Sequence, residues 1–461
     1  MPGTPARTTD VAALALDHLD RLVVGTVREV HQAAAARAFR ATRVVGGRVP
    51  ESLHDAVVTS VYGAVSGVLR VGSGTVRALS ARGVGSPVES SRFGRSVVAA
   101  VNGLIGDELR MLDDPQAIVM SVRVDGADLP VTEWQVAEAF RGASSHLVVF
   151  LHGLCEDDES WDLGSKVSGS TYASRLTTET DATPVMVRYN TGLHISENGK
   201  HLDALLTQLV DVWPTAVSRI TLVGHSMGGL VVRAATNHAT AGGKTWQHLV
   251  RDVVCLGTPH AGANLEKVAH LGSSVLRFLP ESRPFSTILD TRSAGIVDLR
   301  HGYISADEWE GQDLTRAWGL DRIAAAPLPH AEYHFVAGTL GATQRHAVSA
   351  VLGDLLVHFS SATGVGRTGP VVDGARFEYV PSAHHFALLN HPTVGDWIVE
   401  WVRAGHRPVR ALSASGRRSS LRRTLSGMGR RRPCRSSLRR IRSGKGAKET
   451  TPKLPTATKS A

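Results

Sequence analysis

The clearest chemical signal in this chain is the sequence Gly-His-Ser-Met-Gly at residues 224–228. It directly follows an apolar run at residues 220–223, which predicts a strand, and it leads into a helical pattern at 229–235. Small residues around a serine let the backbone turn sharply between strand and helix, and this turn exposes the hydroxyl. A chance Gly-x-Ser-x-Gly match in a Gly-rich chain would not be expected to lie between a predicted strand and a predicted helix. We therefore predict that Ser226 is a nucleophile.

An acid and a base must accompany this serine, because a serine hydroxyl is a weak nucleophile until a base accepts its proton and a third group orients that base. In a strand–turn–helix setting of this kind the chain order is serine, acid, histidine. After the apolar run at residues 333–337 the first carboxylate is Asp354 and the next is Asp373. Asp373 lies just before the last predicted strand and suits a turn. We predict Asp354 as the acid, with Asp373 as the alternative.

The histidine is expected after the last predicted strand, at residues 376–380, where His384 and His385 stand side by side. His385 immediately precedes the apolar sequence Phe-Ala-Leu-Leu, which would fix it by packing. His384 would then be an exposed neighbour, and His391 suits the entry to a helix. We predict His385 as the base, and His384 remains the alternative.

Two backbone N–H groups are needed to stabilise the oxyanion that forms when a serine attacks a carbonyl. One is expected from Met227, which directly follows the nucleophile at a helix N-terminus. The other is expected from the loop after the strand predicted at residues 147–151, where His152 and Gly153 precede Leu154. We predict that the amides of Leu154 and Met227 form the oxyanion hole.

The elements that must position these groups are strands alternating with helices between about residues 143 and 403. This alternation predicts an α/β fold with a doubly wound, mostly parallel sheet that has helices on both faces. A long interval at about 261–331 exceeds a plain crossover and predicts an inserted helical cap. Strands are predicted at 120–124, 147–151, 184–189, 220–223, 253–256, 333–337 and 376–380, and a helix at 201–212.

Charged residues are distributed unevenly along the 461-residue chain. The net charge is +9, yet residues 407–461 hold 17 of the 51 basic residues and one of the 42 acidic ones, which leaves −7 for the rest. The tail is rich in Ser and Arg and cannot bury enough apolar surface to fold, so we expect it to be disordered. We predict a helical N-terminal extension at 1–110, the α/β domain at 111–406 and the disordered tail at 407–461.

Composition also narrows the function classes. Hydrophobic residues make up 42% of the chain, which excludes disorder as its global state. Three scattered cysteines fit neither a disulfide framework nor a zinc site, and no cofactor or metal is expected. The sequence shows no secretory signal or membrane span, so we expect a cytoplasmic protein. The basic tail suggests peripheral contact with anionic membranes, whereas specific nucleic-acid binding is not expected, because interleaved aromatic residues are lacking.

Several motifs resemble those of one known fold family. Residues 143–403 look like an α/β-hydrolase of the lipase/esterase superfamily, through the Gly-His-Ser-Met-Gly-Gly elbow and the His-Gly loop. The sequence Leu-Gly-Thr-Pro-His-Ala-Gly at 256–262 resembles the Gly-Thr-Pro segment of lipases related to GPI-inositol deacylases. Residues 189–192 and 385–389, and more weakly 102–107, are similar to a group of bacterial hydrolases. That group usually has Gly-Asp-Gly where this chain has Gly-Asp-Leu around Asp354.

The resemblance implies a serine hydrolase that cleaves carboxylic esters through an acyl-enzyme. Its substrate would be an ester or a lipid. Ser226 would attack the carbonyl, His385 would transfer the proton and Asp354 would orient His385. A thioesterase or amidase with the same triad is an alternative, because the motifs do not specify the leaving group. A non-catalytic scaffold associated with membranes or nucleic acid is a further alternative, although such relatives usually lack a triad member.

Overall fold

The structure, a computed structural model, describes residues 87–263, 293–311, 326–339, 354, 356–366 and 369–404, together with isolated positions before residue 87. Most of the predicted N-terminal helices, much of the predicted cap and the whole predicted tail lie outside the described residues. So do Gly353 and Leu355, the neighbours of the predicted acid. The predicted domain boundaries therefore stay predictions.

Eight strands of the described chain form one mixed sheet, in the order β10-β7-β6-β5-β3-β4-β1-β2. The six strands from β10 to β4 in this order run parallel, and β1 pairs antiparallel with both β4 and β2. A separate two-stranded hairpin is formed by β8 and β9. The strands are β1 (Ser121–Val124), β2 (Ala127–Leu129), β3 (His146–Leu151), β4 (Ala182–Arg188), β5 (Arg219–His225), β6 (Val250–Leu256), β7 (Glu332–Thr339), β8 (Val365–Gly366), β9 (Gly369–Pro370) and β10 (Arg376–Pro381).

Helices cover both faces of this sheet, and β3 shows why. Its residues are buried throughout, and alternate side chains point to opposite faces. Leu147 and Val149 join a core with apolar residues of α5 and α6, whereas Val148 and Phe150 join a second core with those of α4 and α9. The helices are α1 (Arg92–Met111), α2 (Glu133–Ala139), α3 (Ser165–Ser168), α4 (Tyr172–Glu179), α5 (Ile195–Val212), α6 (Met227–Ala241), α7 (Ala294–His301), α8 (Phe359–Ala362) and α9 (Pro392–Ala404).

Helix α1 packs directly against the loop that follows β4. The side-chain amide of Asn190 donates to the carbonyl of Gly106 at 2.9 Å. A Cβ on Gly106 would lie 1.9 Å from Asn190 Oδ1, and one on Gly192 would lie 2.2 Å from the carbonyl oxygen of Asn102. Only glycine fits these two close approaches. Segments 102–107 and 189–192, which both carry the family resemblance, therefore meet in the fold.

The predicted α/β class and doubly wound, mostly parallel sheet are confirmed. Each predicted strand is present, and most extend by a few residues beyond the apolar run that predicted them. Helix α5 begins at Ile195 instead of residue 201, because its first turn carries polar residues that the apolar pattern does not count. The sequence missed β2, which is short and has no buried residue. Among the described helices, none has the length and apolarity to cross a bilayer.

Candidate active site

Ser226 lies in a strained turn between β5 and α6. Its backbone has φ 52° and ψ −119°, a region that residues other than glycine rarely occupy. The turn is compact: a Cβ on Gly224 would lie 2.3 Å from the amide nitrogen of Gly229, and one on Gly228 would lie 2.3 Å from the carbonyl oxygen of Leu151. Although Ser226 is the N-cap residue of α6, its side chain makes no capping hydrogen bond. The Ser226 hydroxyl therefore does not cap the N-terminus of α6.

His385 forms a buried pair with Asp354. The ring Nδ1 of His385 lies 2.8 Å from Asp354 Oδ2, and the amide of His385 donates to the carbonyl of Asp354 at 3.0 Å. The other carboxylate oxygen, Oδ1, accepts the amides of Leu356 and Val357 at 3.0 and 2.8 Å. Both side chains are almost fully buried. The carboxylate is thus fixed from both sides and holds one nitrogen of the ring.

The two alternatives that the sequence left open are both exposed to solvent. His384, the neighbour of His385, is exposed. Asp373, the alternative acid, is exposed in a turn before β10. His391 directly precedes α9, as predicted, and its carbonyl accepts the amide of Gly395 in the first turn of that helix. The structure therefore pairs the first-choice acid with the first-choice histidine.

Opposing effects act on the pKa of His385. Burial lowers this pKa, but the nearby Asp354 carboxylate and its hydrogen bond raise it more, and the net shift is upward from the ordinary value of 6.5. Glu156 adds a further upward contribution through its charge. The carboxylates thus stabilise the imidazolium that a general base becomes when it accepts a proton.

Ser226 and His385 lie on neighbouring loops at the carboxyl end of the parallel strands. The amide of Ser226 donates to the carbonyl of Leu256 at 2.8 Å, and the next residue, Gly257, lies against the ring of His385. A Cβ on Gly257 would lie 3.1 Å from that ring, and its φ of 59° also favours glycine. The ring of His225, the residue before the serine, lies 4.7 Å from the ring of His385. The three predicted catalytic residues thus follow β5, β7 and β10, on the side of the sheet where the parallel strands have their carboxyl ends.

The loop after β3 is fixed on both sides of Leu154. The amide of Gly153 donates to Glu156 Oε2 at 2.7 Å, and the amide of Cys155 donates to Thr191 Oγ1 at 3.2 Å. Among the residues that the structure describes, no acceptor is found for the amides of Leu154 and Met227. Helix α6 begins against this loop, since Gly228 contacts the carbonyls of Leu151 and His152. Met227 is thus the first residue of α6, and Leu154 lies on the loop against which that helix begins.

Sequence reasoning missed Glu156, which is buried beside the candidate site. Its carboxylate contacts the ring Nδ1 of His225 at 3.0 Å through Oε1 and 3.1 Å through Oε2. No local pattern marks this glutamate, because three of the four residues that follow it are also acidic. Only the fold distinguishes it from its acidic neighbours, which have other partners: Ser96 for Asp157, Arg123 for Asp158 and Arg95 for Glu159.

One cluster in the described part of the chain has the donor types of a metal site, but it lies at the amino ends of the strands, opposite the candidate active site. Asp252, Glu332 and His334 stand near the amino ends of β6 and β7. Arg219 lies 2.5 Å from Asp252, and Arg376 lies 2.7 Å from Glu332, so both carboxylates already have a cationic partner. This cluster is an ion-pair network distant from Ser226.

Comparison with known proteins gives one family match. Residues 146–317 match the model of the family described as PGAP1-like alpha/beta domain. No curated protein matches the sequence significantly. The family match and the strand–turn–helix setting of Ser226 on a mostly parallel sheet agree with the predicted α/β-hydrolase fold.

Solved structures similar to this chain include lipases and esterases. The mature lipase BlEst2 of Bacillus licheniformis is 18% identical, with a TM-score of 0.35, and the match covers 55% of this chain and 91% of that one. A thermophilic esterase from Thermogutta terrifontis is 17% identical, with a TM-score of 0.34, covering 57% and 92%. The carboxylesterase CesB of Bacillus subtilis is 14% identical, with a TM-score of 0.32, covering 56% and 84%.

Proposed function

We propose that this protein is a serine hydrolase that cleaves carboxylic esters through an acyl-enzyme, with lipids or other esters as substrates. The observation that carries the proposal is the buried pair of His385 and Asp354, 2.8 Å apart, beside the strained turn of Ser226. A buried acid–histidine pair next to a serine in a strained strand–helix turn is the arrangement that activates a hydroxyl for attack on a carbonyl.

The reaction would begin when the Oγ of Ser226 attacks the ester carbonyl. Because Asp354 holds Nδ1 of His385, Nε2 is the ring nitrogen that would accept the serine proton. The amides of Leu154 and Met227 would donate to the oxyanion of the tetrahedral intermediate. His385 would then give its proton to the departing alcohol, and the same steps with water would release the acid and restore Ser226.

The first experiment is a screen of p-nitrophenyl esters with increasing acyl length, run in parallel with Ser226→Ala. Hydrolysis that depends on Ser226 would support the proposal, and the best chain length would indicate the size of the acyl site. A matched thioester and amide of the best acyl group would distinguish an esterase from the thioesterase and amidase alternatives. Equal background hydrolysis by both proteins on all three substrates would favour the scaffold alternative.

The raised pKa of His385 predicts the pH dependence. The base must be neutral to accept a proton, so activity should be lost as pH falls through the pKa of His385. Because that pKa is raised, the acidic limb of kcat/KM should have its midpoint above 6.5, the ordinary histidine value. A pH profile on a neutral ester, with enzyme stability checked at each pH, measures this midpoint. A midpoint below 6.5 would contradict the raised pKa of His385.

We propose that the basic tail affects where the protein is located and not the chemistry of the active site. Deleting residues 407–461 should leave kcat on a short, soluble ester within about twofold of the full chain. The full chain should bind anionic liposomes, and this binding should weaken with salt and with deletion, because each basic residue near a charged surface contributes about 1 kcal/mol. Neutral liposomes are the control. Liposome binding that survives deletion would assign the contact to another part of the chain.

A further inference from the structure

Glu156 connects two loops of the candidate active site. It lies on the loop after β3, is about nine-tenths buried, and accepts the amide of Gly153 at 2.7 Å. The same carboxylate contacts Nδ1 of His225, the residue that immediately precedes Ser226. One carboxylate therefore holds both the loop that carries Leu154 and the strand end that carries the nucleophile.

His225 extends this connection to the third loop. Its ring is fully buried, and its Nε2 lies 3.4 Å from the carbonyl oxygen of His385. The ring of His225 therefore lies between the carboxylate of Glu156 and the backbone of the histidine loop.

The surrounding groups favour an ionised Glu156. Burial alone would raise the pKa of Glu156, but the charge and hydrogen bond of His225, together with the Gly153 amide, lower it overall. His152, the nearest other histidine, lies between the carbonyl of Gly153 and the amide of Tyr189, and burial lowers its pKa. His152 therefore hydrogen-bonds to the backbone, which leaves His225 as the side-chain partner of Glu156.

We propose that Glu156 is a positioning residue whose carboxylate, through the amide of Gly153 and the ring of His225, ties the oxyanion loop, the nucleophile turn and the histidine loop together. The proposal rests on the proposed function above. Without the carboxylate, the ring of His225 and the amide of Gly153 would both lose a charged partner. The turn that carries Leu154 would then be less well fixed against Ser226, and misplacement by about 1 Å can cost about 100-fold in rate.

The test is Glu156→Gln, which keeps the shape and can still accept from Gly153 and donate to His225, but removes the charge. The expected result is a 10- to 100-fold fall in kcat, with KM within about threefold, because ground-state contacts to substrate are unchanged.

Asp203→Asn is the matched control. Asp203 is also a buried carboxylate, it contacts the ring Nδ1 of His238 at 2.8 Å and the indole of Trp246 at 2.7 Å, and it lies on α5 away from the three loops. Its replacement should lower the melting temperature yet leave kcat within about twofold. A loss of kcat that merely tracks lost stability would appear in both variants.

Each outcome decides the proposal. Unchanged kcat in Glu156→Gln would overturn it while leaving the ester hydrolase proposal intact. An equal fall in kcat for Asp203→Asn would also overturn it. A wild-type protein without hydrolysis that depends on Ser226 would overturn the proposed function and the positioning role together.

Discussion

Replacing Ser226 by alanine should lower kcat on a p-nitrophenyl ester about 10⁵- to 10⁶-fold, to the level left by oxyanion and binding contacts alone. The loss should be this large because a triad acts as a unit, so removing the nucleophile forfeits the contribution of the base and acid as well. Stability should change little, since the hydroxyl makes no capping hydrogen bond to α6. Steady-state kinetics with a melting curve for each variant measure both effects.

Ser218→Ala is the control, because Ser218 is exposed near the other end of the same strand. That variant should keep wild-type activity. A fluorophosphonate probe, which labels activated serines covalently, should modify the wild type and Ser218→Ala but not Ser226→Ala. Peptide mapping that finds the label on a different serine, with Ser226 unmodified, would refute the assignment of the nucleophile.

Replacing Asp354 by asparagine should lower kcat about 10⁴-fold. The asparagine side chain would still accept the amides of Leu356 or Val357, so the loop should stay folded. It would no longer offer a negative charge to His385, and its NH₂ group would favour the wrong ring tautomer. The acidic limb of the pH profile should also move to lower pH, because the carboxylate raises the pKa of His385.

Asp373→Asn is the matched control for this prediction. Asp373 is an exposed turn residue, so its replacement should leave kcat within about twofold. Circular dichroism and melting curves show whether both variants fold. If Asp373→Asn lost the larger share of activity, the acid would be Asp373, and small losses in both would indicate an acid elsewhere in the chain.

Local sequence patterns were enough to predict most of the fold around the site. Apolar runs predicted five of the six parallel strands, because a strand buried on both faces needs a nearly continuous apolar sequence. The sixth, β10, was predicted from the alternating sequence at 376–380 and is mostly exposed or half-buried. The turn at Ser226 was equally visible, since the glycines that flank it are required by contacts within a few residues or with the adjacent loop. The edge strand β2 was not visible, because a short strand without buried residues has no apolar pattern.

The sequence by itself determined the α/β class, the strand–turn–helix around Ser226 and a short set of candidate partners, because hydrophobic periodicity and glycine sterics act over neighbouring residues. The tertiary structure alone decided which candidates meet. It pairs His385 with Asp354 across 31 residues and leaves His384 and Asp373 exposed. It also brings Glu156 to His225 across 69 residues. Such pairs depend on strand order and on how loops pack at the sheet edge, and these long-range contacts leave no local signal in the chain.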